Sequence, residues 1–223
     1  GERAISYNLS ADYYAKKYQF SINIFRTNLK DKIQFSPADD EVKKFGYSYQ
    51  WENVDDAYVQ GVELGAKANL FRNFNAGINW TFNQGKFKHE RADWSDPNDE
   101  TVKEFPQRLQ YAKDSRNISR FPAMTGDIDL DYTPGTWTFS LTSSLQGRMF
   151  IDYNSEDDGA TSKIKKTNTF MIFNCRAAKR FGTCTVYAGA KNIFSYIQDE
   201  KHTDDAAFMY APVYGATWYV GLS

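Results

Sequence analysis

Three aspartates at alternate positions have a spacing that could support acid–base chemistry. In an extended strand, Asp127, Asp129 and Asp131 project from one face, because side chains alternate across a strand. A row of carboxylates can act with a histidine as general acid and base in hydrolysis. The chain has two histidines, His89 and His202, and both fall in predicted loops. The pattern therefore offers carboxylates without the histidine that such a site requires.

The simpler interpretation of this acidic row is a solvated wall that pairs with Arg148 or Arg176 on neighbouring strands. The spacing of His and Cys residues does not match that of a metal site. We therefore expect no catalytic residue, no metal site and no cofactor, and we expect that the chain is not an enzyme. The 27 Lys and Arg residues nearly balance the 28 Asp and Glu residues, which indicates no nucleic-acid partner.

Cys175 and Cys184 could form a disulfide only if their strands bring them together. With Phe181-Gly182 as a two-residue turn, Cys175 would face Ala188 on the next strand. Cys184 would then lie about four strand residues away, roughly 13 Å, which exceeds the ~7 Å limit for a disulfide. We therefore predict two free cysteines on the lipid-facing side.

Strands rather than helices must position these residues, because apolar and polar residues alternate with a period of two. Phe, Tyr and Trp make up 17% of the chain, which favours β structure. One segment has Phe74, Ala76, Ile78, Trp80 and Phe82 on one face and Asn75, Gly77, Asn79, Thr81 and Asn83 on the other. No run reaches the ~18 apolar residues of a membrane-spanning helix. The mean hydropathy of -0.64 still permits a membrane barrel, whose strands alternate lipid-facing and lumen-facing residues.

Short and long connections alternate along the chain. Short turns are predicted near Lys16, Arg72, Pro134 and Gly182, and long polar segments at 36–45, 84–120, 154–167 and 196–212. The alternation is strict if Tyr47 to Leu70 is one long strand with a bulge where the aromatic phase changes. About nine strands then form an antiparallel up-and-down sheet with short turns on one side and long loops on the other. This layout is typical of a transmembrane β-barrel of the outer membrane.

Aromatic residues also gather beside the short turns, as the interfacial girdle of a membrane barrel would. They are Tyr14, Tyr18, Phe71, Phe74, Tyr132, Trp137 and Phe181. A soluble β-sandwich would alternate in the same way. Its strands average about 5–6 residues, whereas the alternation here continues for around ten or more, which favours the barrel.

Several short motifs follow one another in an order that resembles a known family. They are FRTNLKDKI at Phe25 to Ile33, GVE at Gly61 to Glu63, NWTF at Asn79 to Phe82, RFP at Arg120 to Pro122, KNIF at Lys191 to Phe194 and APVYGATWYVGLS at Ala211 to Ser223. Together they resemble the last strands of a TonB-dependent outer-membrane receptor. In that family, an Asn-Leu-Phe-type motif precedes the final loop and a Tyr-Gly segment opens the closing strand.

The resemblance implies an all-β fold in which residues 1–223 are the C-terminal part of a 22-stranded barrel. The rest of that barrel and its N-terminal plug would lie outside this chain. A fragment with bare sheet edges would need the remaining receptor, or oligomeric pairing, to be stable. The partners implied are outer-membrane lipid, the plug and remaining strands, a TonB-type energy-coupling protein and an imported small ligand. The location implied is the outer membrane of a Gram-negative cell.

The ligand implied is a scarce one, such as a ferric siderophore, haem or a cobalamin-like molecule. The segment SYIQDE at Ser195 to Glu200 lacks the acidic, proline-containing stretch common in the carbohydrate-import branch, which favours the siderophore or cobalamin branch. The ligand-binding residues are unknown, although Trp94, Tyr111, Phe208 and Tyr210 are candidates in loops. The alternative is a small self-contained outer-membrane barrel that acts as an adhesin or a protease.

Overall fold

A computed structural model describes residues 1–37, 40–47, 49–91, 95, 97–98, 103, 106, 108–155, 161–198 and 209–223. Its strands are β1 (Arg3–Tyr14), β2 (Tyr18–Pro37), β3 (Tyr49–Phe71), β4 (Phe74–Phe87), β5 (Met124–Tyr132), β6 (Trp137–Gln146), β7 (Phe150–Ser155), β8 (Thr161–Lys166), β9 (Phe170–Phe181), β10 (Cys184–Lys191) and β11 (Thr217–Leu222). Its helices are α1 (Asp40–Lys43), α2 (Arg108–Tyr111) and a 3-10 helix (Ala112–Arg116). None of these helices is long and apolar enough to span a membrane.

Nine of the strands form one sheet in the order β1-β2-β3-β4-β5-β6-β9-β10-β11. The nine predicted strands are therefore confirmed, and their chain order is the sheet order. β7 and β8 form a separate two-stranded hairpin that the sequence analysis assigned to a loop. The alternation predicted this sheet well because each strand is long and each faces two different environments.

The chain divides into two compact units. The first unit contains residues 1–8, 25–60 and 84–118, and the second contains residues 9–24, 61–83 and 119–223. The second unit holds the full length of β5, β6, β9, β10 and β11. Its antiparallel pairs fix which side chains share a face of the sheet.

One row of paired residues crosses six strands of the second unit and is apolar throughout. It runs through Ala76, Leu130, Leu141, Cys175, Ala190 and Trp218. We call this side of the sheet the apolar face. Its large residues remain exposed in the chain alone, with Trp218 at 76% and Val220 at 78% exposure. Such a continuous exposed apolar surface requires an apolar partner.

The next row crosses the same strands on the opposite side, which we call the polar face. It runs through Asn75, Asp131, Ser140, Arg176, Gly189 and Tyr219. The change from apolar to polar between adjacent rows is the alternation that the sequence displayed. The predicted direction of the three aspartates, away from the apolar face, is therefore confirmed.

The turn between β9 and β10 differs from the prediction by one position. Cys184 pairs with Phe181, so the turn is Gly182-Thr183 and not Phe181-Gly182. Gly182 has a φ of +60°, which explains its place inside the turn. The register shift pairs Cys175 with Ala190 and not with Ala188. The cysteines lie further apart than predicted, and both are free.

The aromatic residues beside the short turns form a contact chain in the second unit. Phe71 stacks on Phe74 at 4.7 Å between ring centroids, and both lie within 6.4 Å of the Tyr132 ring. Tyr132 and Trp137 both stack on Phe139, at 6.5 and 5.6 Å. The rings therefore form a continuous aromatic surface at this end of the sheet, and its role as an interfacial girdle stays a prediction.

β3 is a single strand of 23 residues, as predicted for the segment that ends at Leu70. The final strand begins at Thr217, three residues after the predicted start at Tyr214. The predicted bulge in β3 stays a prediction. Asp31 of the neighbouring strand β2 has a φ of +53°, which marks a local irregularity in that strand.

Candidate ligand-binding site

The acidic row lies on the polar face among hydroxyl groups. Ser140 Oγ donates to Asp131 at 2.6 Å, and Ser144 Oγ donates to Asp127 at 2.9 Å. Both serines belong to β6 and stand directly opposite their aspartates. Hydroxyl donors keep a carboxylate satisfied without neutralising its charge. This wall is therefore acidic, and its Asp127 and Asp129 are exposed.

The arginine partners suggested for the aspartates are wrong within the part of the chain that the structure describes. Among those residues, no ion pair within 4.0 Å includes Asp127, Asp129 or Asp131. Ser140 stands between Asp131 and Arg176 in the row, so the two charges lie two strands apart. The Arg176 guanidinium instead lies over the Tyr187 ring.

Glycines on the polar face make room for the tyrosines of β10 and β11. Tyr219 lies over Gly189 and Tyr187 lies over Gly221, in two reciprocal cross-strand pairs. A Cβ at either glycine would collide with the facing ring. The Arg176 guanidinium lies 4.7 Å from the centre of the Tyr187 ring, an attractive cation–π arrangement. This corner of the polar face is aromatic and cationic, in contrast to the acidic row.

A cavity of about 660 Å³ opens on the polar face where β5, β6 and β9 meet their long loops. Its apolar lining includes Met149, Phe170, Ile172, Met209 and Tyr210, and its polar lining includes Arg120, Thr125, Ser144 and Gln146. All these residues belong to the second unit. A mostly apolar cavity with a few convergent polar groups is the usual form of a small-molecule site. Met149 is 6% exposed and therefore lies in the packed part of the cavity wall.

The segment 209–212 closes one side of this cavity and is held by glutamine side chains. Gln198 Oε1 accepts hydrogen bonds from the backbone N–H of Tyr210 at 2.9 Å and of Ala211 at 3.3 Å. Gln146 Nε2 donates to the Tyr210 carbonyl at 3.4 Å. Gln198 has no exposed surface, and a buried amide keeps its place because its bonds must all be satisfied.

Arg120, the first residue of the RFP motif, binds the segment 209–212. Its Nη1 donates to the Met209 carbonyl at 2.9 Å, and its backbone N–H donates to the Phe150 carbonyl at 2.7 Å. Arg120 has a φ of +57°, an uncommon conformation for a residue with a side chain. Strained backbone of this kind often marks a functional position. Among the described residues that line the cavity, the Arg120 guanidinium is the one cation.

Three aromatic rings stand together beside the cavity. Phe170 stacks on Tyr196 at 5.0 Å and contacts Tyr210 at 6.2 Å. Burial raises the pKa of the Tyr196 hydroxyl above its usual range, and Tyr210 adds to the shift through its charge and a hydrogen bond. The raised pKa favours the neutral hydroxyl of Tyr196, which can donate or accept a hydrogen bond.

The hairpin of β7 and β8 contributes a small packed core beside the cavity. Ile151 has no exposed surface and packs with Met149, and Tyr210 packs against both. Ile164 of β8 is also buried, at 9% exposure. The alternation Ser-Lys-Ile-Lys in β8 could have revealed a strand, but the polar loop composition concealed it.

The candidate residues named from the sequence fall in three places. Tyr210 lines the cavity. Tyr111 ends α2 in the first unit and is not among the described residues that line the cavity. Trp94, Phe208 and His202 lie outside the described residues, while His89 Nδ1 lies 3.0 Å from Asp55 Oδ1. The sequence analysis missed Arg120 and Gln198, whose roles depend on contacts across long stretches of chain.

An antiparallel meander with one apolar and one polar face is characteristic of membrane β-barrels. The family model for TonB dependent receptor-like β-barrels matches residues 1–193. The chain therefore belongs to the TonB-dependent receptor β-barrel family, as the motifs indicated. Receptors of this family are outer-membrane proteins.

Solved structures of larger proteins share the fold. The copper transporter OprC matches with a TM-score of 0.66 and 19% identity over 99% of this chain and 30% of its own. The FrpB iron transporter from Neisseria meningitidis matches with a TM-score of 0.67 and 14% identity over 99% of this chain and 31% of its own. The ferric enterobactin receptor PfeA from Pseudomonas aeruginosa matches with a TM-score of 0.66 and 19% identity over 99% of this chain and 31% of its own. This chain thus spans about a third of their length.

Proposed function

We propose that this chain is the C-terminal part of the barrel of an outer-membrane receptor that imports a scarce ligand into the periplasm. The ligand class we propose is a ferric siderophore, haem or a cobalamin-like molecule. The family membership supports this proposal, and so do neighbours described as iron, copper and ferric enterobactin proteins. Import would depend on a plug and on a TonB-type energy-coupling protein, and this segment would perform no covalent chemistry.

The observation that carries the proposal is the cavity at the loop end of β5, β6 and β9. It lies on the polar face, which is the lumen-facing side if the apolar face contacts lipid. Apolar and aromatic walls suit a ligand with a planar organic surface, and Arg120 suits a ligand that carries negative charge. We propose that Arg120 and Tyr210 contact the ligand as it passes from the outer loops to the lumen.

The test measures ligand uptake by cells that carry the full receptor with single substitutions. Arg120→Gln should weaken apparent ligand affinity about tenfold, because a charge-assisted hydrogen bond contributes ~1.5–3 kcal/mol. Arg148→Gln is the matched control, since it removes the same charge from an exposed residue outside the cavity lining. Equal effects of the two substitutions, with equal receptor levels, would refute a ligand-binding role for the cavity.

Energy coupling is tested in the same cells. Uptake of a labelled ferric chelate, haem or cobalamin should stop when a protonophore collapses the proton gradient, while surface binding persists. Uptake that continues without the gradient would exclude a TonB-dependent mechanism. A receptor that binds none of these ligands but adheres to cells or cleaves proteins would favour the small-barrel alternative.

A further inference from the structure

The side of β2 that is apolar near its start becomes polar and cationic towards its loop end. Side chains alternate along a strand, so Phe20, Ile22 and Ile24 share a side with Arg26 and Lys30 up to the irregularity at Asp31. Ile24 is 48% exposed, and Arg26 and Lys30 are also exposed. The same change occurs in β4, where Phe82 is followed on its side by Gln84 and Lys86.

Hydrogen bonds in the first unit join these cationic positions into one surface. Arg26 Nη1 donates to Gln60 Oε1 at 2.8 Å, and Gln60 Nε2 donates to Gln84 Oε1 at 2.9 Å. The backbone N–H of Lys88 donates to the Asp56 carbonyl at 2.8 Å. This bond and the Gln60–Gln84 contact fit one antiparallel register between β3 and β4. In that register Lys86 lies opposite Tyr58.

β1 extends the surface by one strand. Ser6 Oγ and Thr27 Oγ1 lie 2.9 Å apart across β1 and β2. The antiparallel register that this contact implies places Arg3 across from Lys30. The surface then contains five cationic side chains and one acidic side chain. They are Arg3, Arg26, Lys30, Lys86, Lys88 and Asp56, and we call them the cationic surface.

Neighbouring side chains hold Arg26 in one orientation. Its guanidinium lies 4.7 Å from the centre of the Tyr58 ring, and its Nε donates to Asn28 Oδ1 at 3.0 Å. The acid of this surface, Asp56, lies 3.9 Å from Lys88 Nζ. Among the residues that the structure describes, no carboxylate forms an ion pair within 4.0 Å with the other four cationic side chains. A guanidinium held in place and flanked by lysines is suited to bind phosphate oxygens.

We propose that the cationic surface binds the phosphate groups of membrane lipid at the outer boundary of the barrel. The inference rests on the membrane location proposed above. Its support is the order of residues along β2 and β4, in which cationic positions follow the apolar ones on the same side of the strand, as at the level where headgroups meet a barrel. Charge complementarity supports it further, since clustered Lys and Arg next to a membrane-spanning segment attract anionic headgroups.

The test uses the full receptor in mixed micelles and titrates phosphatidic acid against a phosphatidylcholine background. A variant with Arg26→Gln, Lys30→Gln and Lys86→Gln should bind phosphatidic acid about 100-fold more weakly, since each charge near the headgroup contributes roughly fivefold. The control variant carries Lys44→Gln, Lys103→Gln and Lys113→Gln, which remove three exposed charges from the loops. It should retain wild-type affinity within a factor of two.

One further variant and a measurement of folding guard against misfolding, and competing ligands test for a different occupant. Arg26→Lys keeps the charge and should stay within about fivefold of wild type, and the β-sheet circular dichroism of every variant reports whether the receptor is folded. An equal loss in the control variant, or binding unaffected by the triple substitution or by added salt, would overturn the proposal. Preference for an acidic peptide or polysaccharide over phosphatidic acid would also overturn it. Ligand uptake that fails while phosphatidic acid still binds would contradict only the import function.

Discussion

The two ends of the second unit are built in different ways. At the short-turn end, neighbouring strands are joined by tight turns such as Gly182-Thr183, and aromatic rings stack on one another along the sheet. At the loop end, a buried glutamine, a strained arginine and a separate hairpin hold the connections against the cavity. The short-turn end therefore depends on tight turns and on aromatic rings that contact one another from β3 to β6. The loop end depends on contacts between distant segments.

This difference indicates that the short-turn end contributes mainly to the stability of the barrel, and that the loop end can determine its ligand specificity. Stacked rings and tight turns at an interface depend little on the identity of any imported ligand. At the loop end, a few buried polar groups hold the segments around the cavity. Removing one of them should destabilise these segments strongly, because no neighbouring group can make the same hydrogen bonds. We therefore expect substitutions at the loop end to disturb a local region strongly, and those at the short-turn end to weaken the whole barrel slightly.

The largest effect is expected for Ile151→Ala at the loop end. Ile151 has no exposed surface, so the truncation leaves a cavity and costs about 3 kcal/mol. Hydrogen exchange of the full receptor should show faster exchange of the β7 and β8 amides, with β5 and β6 unchanged. Ile128→Ala on the apolar face is the control, since its half-buried side chain leaves space that lipid can fill. Equal loss of protection throughout β5 and β6 would refute the local character of the loop end.

A smaller local effect is expected for Gln198→Ala. The substitution removes the acceptor for two backbone N–H groups, those of Tyr210 and Ala211, and costs about 2 kcal/mol. The segment 209–212 should exchange its amide protons faster and the apparent affinity for ligand should fall. Gln146→Ala removes one longer bond of 3.4 Å and should have less effect. Should Gln146→Ala loosen the segment more, Gln198 would not be its principal support.

The sequence predicted the short-turn end much better than the loop end, for a physical reason. Alternation and turn residues report on contacts to adjacent strands, so the nine strands and the clustering of aromatic residues beside the short turns could be predicted directly. The roles of Arg120 and Gln198 depend on partners 89 and 12 residues away. No periodic pattern records such contacts. The register error at Gly182 arose because either neighbouring dipeptide contains the glycine that a tight turn needs.

At the short-turn end, Gly182→Val should destabilise the barrel as a whole. The φ of +60° is disfavoured for a β-branched residue, and the cost is roughly 1–2 kcal/mol. The urea midpoint of unfolding from lipid vesicles should fall, with no change in the amide exchange of β7 and β8. Gly182→Asn should cost less, because Asn adopts the left-handed conformation more readily. A change confined to amides near the turn would contradict the cooperative character of this end.

The smallest effect is expected for Lys179→Gln, also at the short-turn end. The Lys179 ammonium lies 4.8 Å from the centre of the Trp137 ring and 4.9 Å from that of Phe181. An exposed cation–π pair contributes ~0.5–1 kcal/mol, so the urea midpoint should fall slightly. The same substitution combined with Trp137→Leu should cost less than the sum of the two single changes. Strict additivity would show that the lysine and the tryptophan do not interact, and that the aromatic surface is held by ring packing alone.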